Sequence, residues 1–140
     1  MTTATVFTVA NFMAMPMWLL MILFPKWKLT KRLIDFKVIP LLLSALYALY
    51  IYLSVQEGGG LDFGSLASVM ELFTNENAVL AGWVHYLAFD LLVGMWMLNQ
   101  NKNLGIHQLL MAVCLFGTFM LGPVGFLAFT MIRTFKKEKS

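Results

Sequence analysis

The sequence has little charge, and this lack excludes most classes of soluble protein. Only 12% of the 140 residues are charged, whereas 60% are hydrophobic. Soluble domains usually contain about 25% charged and about 45 to 50% apolar residues. The composition therefore predicts an all-α integral membrane protein that forms a single domain over residues 1–140, with no soluble domain of useful size.

Cysteine and extended basic surfaces are also scarce. Cys114 is the single cysteine, so the chain can form no intrachain disulfide bond and no cysteine-based metal cluster. The lysine and arginine residues stand in short clusters next to apolar runs, which is how membrane proteins orient themselves, whereas nucleic acid requires a continuous basic face. The bilayer is therefore the expected partner, and nucleic acid is not.

Four apolar runs have about the length that a bilayer-crossing helix requires, which is about 20 residues. The runs cover approximately residues 5–24, 38–55, 78–98 and 106–132. The expected fold is a bundle of four transmembrane helices. Between the second and third runs, apolar residues recur at helical spacing and predict a short amphipathic helix: Leu66, Val69, Met70 and Phe73.

Basic residues predict the orientation of the chain in the membrane. The loop at 25–37 contains five basic residues and one acid, so we expect it on the cytoplasmic side of a bacterial inner membrane or a plastid-like membrane. With four spans, the basic tail that begins at Arg133 would lie on the opposite side. A re-entrant segment at the Gly-Pro-Val-Gly run, residues 122–125, or a total of three or five spans, would reverse the side of the tail.

His85 and Asp90 are the ionisable residues inside the third apolar run. Such residues cost roughly 2.5 to 3.5 kcal/mol or more at membrane depth and by default mark a site with a partner. On a helix Asp90 shares a face with Trp83, Tyr86 and Gly94, whereas His85 lies about 140° away, so the two should not pair along one helix. His107 lies near the level of residue 98, so a metal site formed with His85 and Asp90 is not expected.

A resemblance to a known family rests on three quoted segments. They are P-M-W-L-L-M-I-L-F-P-K-W in the first run, W-V-H-Y-L-A-F-D-L-L-V-G in the third, and G-I-H-Q with G-P-V-G in the fourth. In this pattern the chain resembles the abscisic acid deficient four-like family of membrane proteins, which in plants is associated with neoxanthin formation from violaxanthin. The resemblance carries over the following positions: Trp83, His85, Asp90, Gly94, His107, Cys114, Pro123 and Gly125.

The resemblance implies that the protein acts on or binds a carotenoid or another isoprenoid. Opening a carotenoid epoxide to an allene requires an acid and a base, and Asp90 and His85 are the candidates for these roles. The expected substrate-binding residues are Trp83, Tyr86, Phe89, Gly94, Trp96, His107, Pro123 and Gly125.

Two alternatives remain open. The protein could be a non-enzymatic carotenoid or lipid binding protein or an assembly partner in a membrane complex. His85 and Asp90 could instead hydrogen-bond to Tyr47, Asn11 or freed carbonyl groups and hold the bundle together. Neither a cofactor nor an oligomeric state follows from the sequence.

Overall fold

The fold is all-α, as predicted. A computed structural model describes residues 2–58 and 61–136, and within these ranges the chain forms seven helices. They are α1 (Thr3–Leu23), α2 (Lys28–Phe36), α3 (Val38–Gln56), α4 (Leu66–Leu72), α5 (Glu76–Leu104), α6 (Gln108–Leu121) and α7 (Pro123–Phe135). Among the described residues, three segments could cross a membrane by length and composition: α1, the segment Lys28–Gln56 that contains α2 and α3, and α5.

Helix α5 is the centre of the molecule. It packs against α1, α3, α6 and α7, and half of its most apolar stretch is buried. Among its fully buried side chains, Ala81, Val84 and Leu91 lie within about 80° of one another around the helix and Met97 lies on the opposite side, so α5 is buried on more than one face. The first three predicted spans correspond closely to α1, α3 and α5.

The fourth predicted span requires a correction, because residues 106–132 do not form one spanning helix. The chain breaks at Gly122, which has a φ of +31°, and Pro123 starts α7. Helices α6 and α7 have 14 and 13 residues. Each is therefore about 20 Å long, whereas the hydrocarbon core is about 30 Å thick.

Helices α6 and α7 fold back on each other as an antiparallel pair, the α6–α7 hairpin. A Cβ atom added to Gly125 would lie 2.1 Å from the backbone nitrogen of Thr118, so the two backbones touch. At the other end of α7, the Lys136 ammonium donates a hydrogen bond to the Gly105 carbonyl at 2.8 Å, beside the start of α6. The Gly-Pro-Val-Gly run is thus the tip of a re-entrant hairpin.

The two ends of the molecule differ in charge. At one end, Gln108 contacts the Leu23 carbonyl, which brings the basic segment 25–37 beside the α5–α6 turn and Lys136. We call this the basic end. At the other, acidic end, Thr3 donates a hydrogen bond to Glu76, and Glu57 accepts hydrogen bonds from Asn75 and Asn77.

The sequence left both placements of the tail open, and the described residues, which end at Lys136 at the basic end, agree with a tail on the side of segment 25–37. Residues 59, 60 and 137–140 lie outside the described ranges. Which end faces the cytoplasm stays a prediction.

Segments 25–37 and 56–77 contain the two short helices. The first was expected to be a loop, but Thr30, Leu33 and Ile34 recur at helical spacing and face the bundle, so α2 forms with its basic residues exposed. The short helix predicted in the second segment is confirmed as α4, where the Ser65 side chain caps the amino end by accepting from the Ser68 N–H.

We predict that Gly125→Ala destabilises the protein because the new methyl group would collide with the backbone of α6, which cannot move aside as a side chain could. Overpacking of this kind costs about 1 to 3 kcal/mol or more. The thermal unfolding midpoint in detergent should fall by roughly 5 °C or more. Gly82→Ala is the matched control, because its methyl group would meet only the Phe73 ring. Equal midpoints for the two variants would contradict the close contact of α6 and α7.

We also predict that Lys136 is exposed on the same membrane side as Lys28. Single cysteines at Lys28, Lys136 and Asp62, in a Cys114→Ala background, can be labelled in sealed vesicles with an impermeant maleimide. Lys28→Cys and Lys136→Cys should react from one side and Asp62→Cys from the other. Labelling of Lys136→Cys together with Asp62→Cys would show a fourth crossing.

Candidate functional site

A notch opens on the surface of α5 where the α6–α7 hairpin ends. Asp90 is the central residue of the 29-residue α5, and Gly122 at the hairpin tip lies directly against it. The contacts of the hairpin with this face of α5 extend from the basic end to Asp90 and to the hydroxyl group of Tyr86. Towards the acidic end the same face carries Trp83, 37% exposed, and Tyr86, which is half-buried. We call this open face the notch.

An aromatic wall lines the notch between α1 and α5. Phe7 of α1 lies 5.4 Å from Trp83, centroid to centroid, and Trp83 stacks on Tyr86 at the same separation. The Trp83 indole N–H donates a hydrogen bond of 2.8 Å to the Asn11 side-chain oxygen. This bond satisfies two polar groups in an apolar setting and fixes the plane of the indole ring.

The floor of the notch is the polar tip of the hairpin. The Tyr86 hydroxyl donates towards the carbonyl oxygens of Phe119 and Met120, at 3.4 and 3.3 Å. These carbonyls belong to the last turn of α6, where a helix cannot satisfy them internally. Tyr86 thus compensates for the break that Gly122 and Pro123 introduce.

Asp90 lies under the same tip. A Cβ atom added to Gly122 would be 2.9 Å from Asp90 Oδ1, so the carboxyl group would have to shift, and the φ of +31° at this position also favours glycine. Asp90 Oδ2 is buried and has no hydrogen-bond partner among the described residues. The carboxyl group therefore has unused hydrogen-bonding capacity at the floor of the notch.

His85 lies on a different face of α5 from Asp90. Its ring is 5.5 Å from the Tyr47 ring of α3 and 4.4 Å from the Phe89 ring, and the side chain is exposed at the surface. The separation of about 140° predicted from helical geometry agrees with this placement. The structure does not place His85 with Asp90, Trp83 and Tyr86 in the notch.

Other predicted site residues have packing roles in the structure. A Cβ atom on Gly94 would lie 2.9 Å from the Trp18 ring, so this glycine allows α1 to approach α5. Trp96 packs against Phe129 with centroids 5.6 Å apart, and the Arg133 guanidinium lies 5.4 Å from the Trp96 centroid. Trp96 thus holds α7 on α5.

The remaining predicted site residues lie in the α6–α7 hairpin or directly before it. Gly125 lies inside the α6–α7 hairpin, and Pro123 is at the tip beside the notch. His107 caps α6 at the basic end, where its Nδ1 accepts from the Leu109 N–H at 3.1 Å. His107 and Asp90 are thus at the two opposite ends of α6.

Three residues of the notch were not among the predicted site residues. Asn11 could have been noticed in the sequence, because it is a polar residue within an apolar run. It was expected only as a hydrogen-bond partner that holds the bundle together. No feature of the sequence distinguishes Phe7 from the other phenylalanine residues of the chain. Gly122 can be assigned to the notch only from its positive φ and its contact with Asp90, which the sequence does not reveal.

Comparison with known proteins agrees with the resemblance noted in the sequence. A family model described as ABA4-like, ABA DEFICIENT 4-like, matches residues 5–129, which include α1, the notch and most of the hairpin. The chain is 27% identical over 105 residues to Protein ABA DEFICIENT 4, chloroplastic, of Arabidopsis thaliana. This alignment covers 70% of the chain and 48% of the Arabidopsis protein, so the chain spans about half the length of that relative.

No solved structure matches the chain. The family model nevertheless covers most of its length, including Trp83, His85, Asp90, Pro123 and Gly125. The resemblance predicted from the sequence is confirmed, and the chain belongs to the ABA DEFICIENT 4-like family.

Proposed function

We propose that the protein binds a carotenoid or a related isoprenoid in the notch and acts on its end group through Asp90. Membership places the chain in a family associated with neoxanthin synthesis. The proposal rests on one observation. Asp90, Tyr86 and the hairpin tip lie together at the end of the notch that the aromatic wall lines. The proposed setting is a bacterial inner membrane or a plastid-like membrane, with segment 25–37 on the cytoplasmic side.

The shape of the notch suits a long apolar ligand. From Glu76 to Asp90 helix α5 rises about 21 Å, which is enough for a chain of conjugated carbons to lie along it. Phe7, Trp83 and Tyr86 offer ring faces along this path, and the notch opens sideways to the surrounding surface. A ligand dissolved in the bilayer can therefore enter without crossing water.

Asp90 supplies the chemistry that opening an epoxide requires. Conversion of an epoxide to an allenic alcohol is an isomerisation: the oxygen gains a proton, its bond to one carbon breaks, and a proton leaves the neighbouring vinylic carbon. A carboxyl group can donate through one oxygen and accept through the other, so Asp90 can serve at both steps without net proton gain. Tyr86, one turn away on the same face, positions the end group.

Binding without turnover is the second candidate function, and the position of His85 favours it. His85 was the predicted base, but its contacts are with Tyr47 and Phe89 and it is not part of the notch. If Asp90 cannot serve as both acid and base, the notch holds the pigment unchanged.

The binding step can be tested with Trp83→Ala, which removes the central ring of the aromatic wall and the hydrogen bond to Asn11. Protein purified in detergent with added violaxanthin should retain at least about tenfold less pigment than wild type, a loss of about 1.4 kcal/mol. Trp27→Ala is the control, because Trp27 is an exposed tryptophan at the basic end. Equal retention by both variants would place the pigment elsewhere.

The chemical step can be tested with Asp90→Asn, which keeps the size of the side chain and removes the transferable proton. After incubation with violaxanthin, wild type should yield an allenic isomer of unchanged mass, detected by chromatography with mass spectrometry. Asp90→Asn should retain pigment and lose at least about a hundredfold in rate. Retained but unaltered pigment in wild type would favour the binding function, and unchanged turnover in Asp90→Asn would exclude Asp90 as the acid.

A further inference from the structure

A second site lies at the basic end, about half the length of α5 away from Asp90. A cavity of about 700 Å³ opens there between the end of α1, helix α2, the α5–α6 turn and the start of α6. This volume falls within the range of small-molecule sites, about 300 to 1,000 Å³. The residues of the notch do not contribute to it, so it is independent of the proposed function.

The mouth of the cavity is positively charged. Lys26, Lys31 and Lys102 line it, and Asp35 is the acid among the lining residues. The three ammonium groups give the lining a net positive charge even if Asp35 is ionised and paired with one of them. Lysine is a common ligand of phosphate groups in proteins, where it acts as a point charge.

Neutral hydrogen-bond donors stand beside these charges. Asn99 lines the cavity, as does His107 at the amino end of α6, whereas the side-chain amide of the lining residue Asn101 bonds the Ile106 backbone. Because His107 Nδ1 accepts from the Leu109 N–H, the neutral ring carries its proton on Nε2, which is then a donor. The amino end of the 14-residue α6 adds its own partial positive charge.

The inner wall of the cavity is apolar. Ile22 of α1, Ile34 of α2 and Leu98 of α5 line it, and their side chains are partly exposed. A soluble anion without an apolar part would make no contact with this wall. A ligand with an anionic head and an apolar chain would use the wall and the charged mouth together.

We propose that this cavity binds a phosphate group esterified to an apolar chain. Lys26, Lys31 and Lys102 neutralise the phosphate, His107 and Asn99 donate hydrogen bonds, and the apolar chain runs along Ile22 and Leu98. Membrane phospholipids and isoprenyl phosphates share this chemistry. Basic pockets between membrane helices are known to hold lipid head groups, whereas scattered lysines attract anionic lipids only diffusely.

The test uses the full chain purified in detergent micelles, with bound lipid counted by native mass spectrometry. Phosphatidylglycerol, geranylgeranyl phosphate and diacylglycerol are added separately at equal concentration. Wild type should retain one molecule of at least one phosphate-bearing probe and no diacylglycerol. The double variant Lys31→Gln, Lys102→Gln should retain about tenfold less of that probe. Lys28→Gln is the control, because Lys28 is a neighbouring lysine of α2 that does not line the cavity.

The two phosphate probes distinguish the sources of the ligand. Preferential retention of phosphatidylglycerol would assign the cavity to a phospholipid, and preferential retention of geranylgeranyl phosphate to an isoprenyl phosphate; either result supports the proposal. Equal retention of diacylglycerol, an equal loss in Lys28→Gln, or no retained probe in wild type would overturn it. Pigment binding in the notch should be unchanged in the double variant, so this test and that of the proposed function fail separately.

Discussion

The contact between the two backbones of the α6–α7 hairpin is the constraint on which the rest of the structure depends. Gly125 lies against Thr118 so closely that no side chain fits at that position. Within a bilayer every backbone polar group must find a partner in the protein, so a helix that stops at mid-depth needs support. Tyr86 provides it by donating to the carbonyls of Phe119 and Met120.

The hairpin divides the molecule into two unequal halves. Near the basic end α1, α3, α5, α6 and α7 pack together, whereas towards the acidic end α1, α3 and α5 remain without the hairpin. The notch exists because the hairpin ends at Gly122. The carboxyl group of Asp90, which costs free energy to place within a membrane, lies against this glycine. The start of α6, which packs against α1, forms one wall of the cavity at the basic end.

The sequence predicted much of the fold because hydrophobic length is a strong signal. The first three spans and the helix α4 emerged from apolar runs and helical spacing. The fourth run was misjudged because its hydrophobicity resembles that of one spanning helix, and the return of the chain depends on the φ of Gly122 and on one close contact. Helix α2 was missed because its basic residues conceal the short apolar stripe that faces the bundle.

The candidate site was predicted in part. Helical geometry separated His85 from Asp90 and grouped Asp90 with Trp83 and Tyr86, since all these residues are on one helix. Contacts between distant segments could not be derived in this way. Asn11 with Trp83, Gly122 with Asp90, and Trp96 with Arg133 each join residues more than 30 positions apart, and no periodicity within one helix reveals such pairs.

The return of α7 along α5 can be measured most directly by cross-linking Gln100 to Arg133, whose side chains are within hydrogen-bond distance at 3.4 Å. Cysteines at these two positions, in a Cys114→Ala background, would be treated with a short bifunctional maleimide, and the linked peptides identified by mass spectrometry. The hairpin predicts an efficient link within one chain. A continuous fourth span would place the two positions on opposite sides of a hydrocarbon core about 30 Å thick. The absence of the link, with both cysteines reactive, would contradict the re-entrant hairpin.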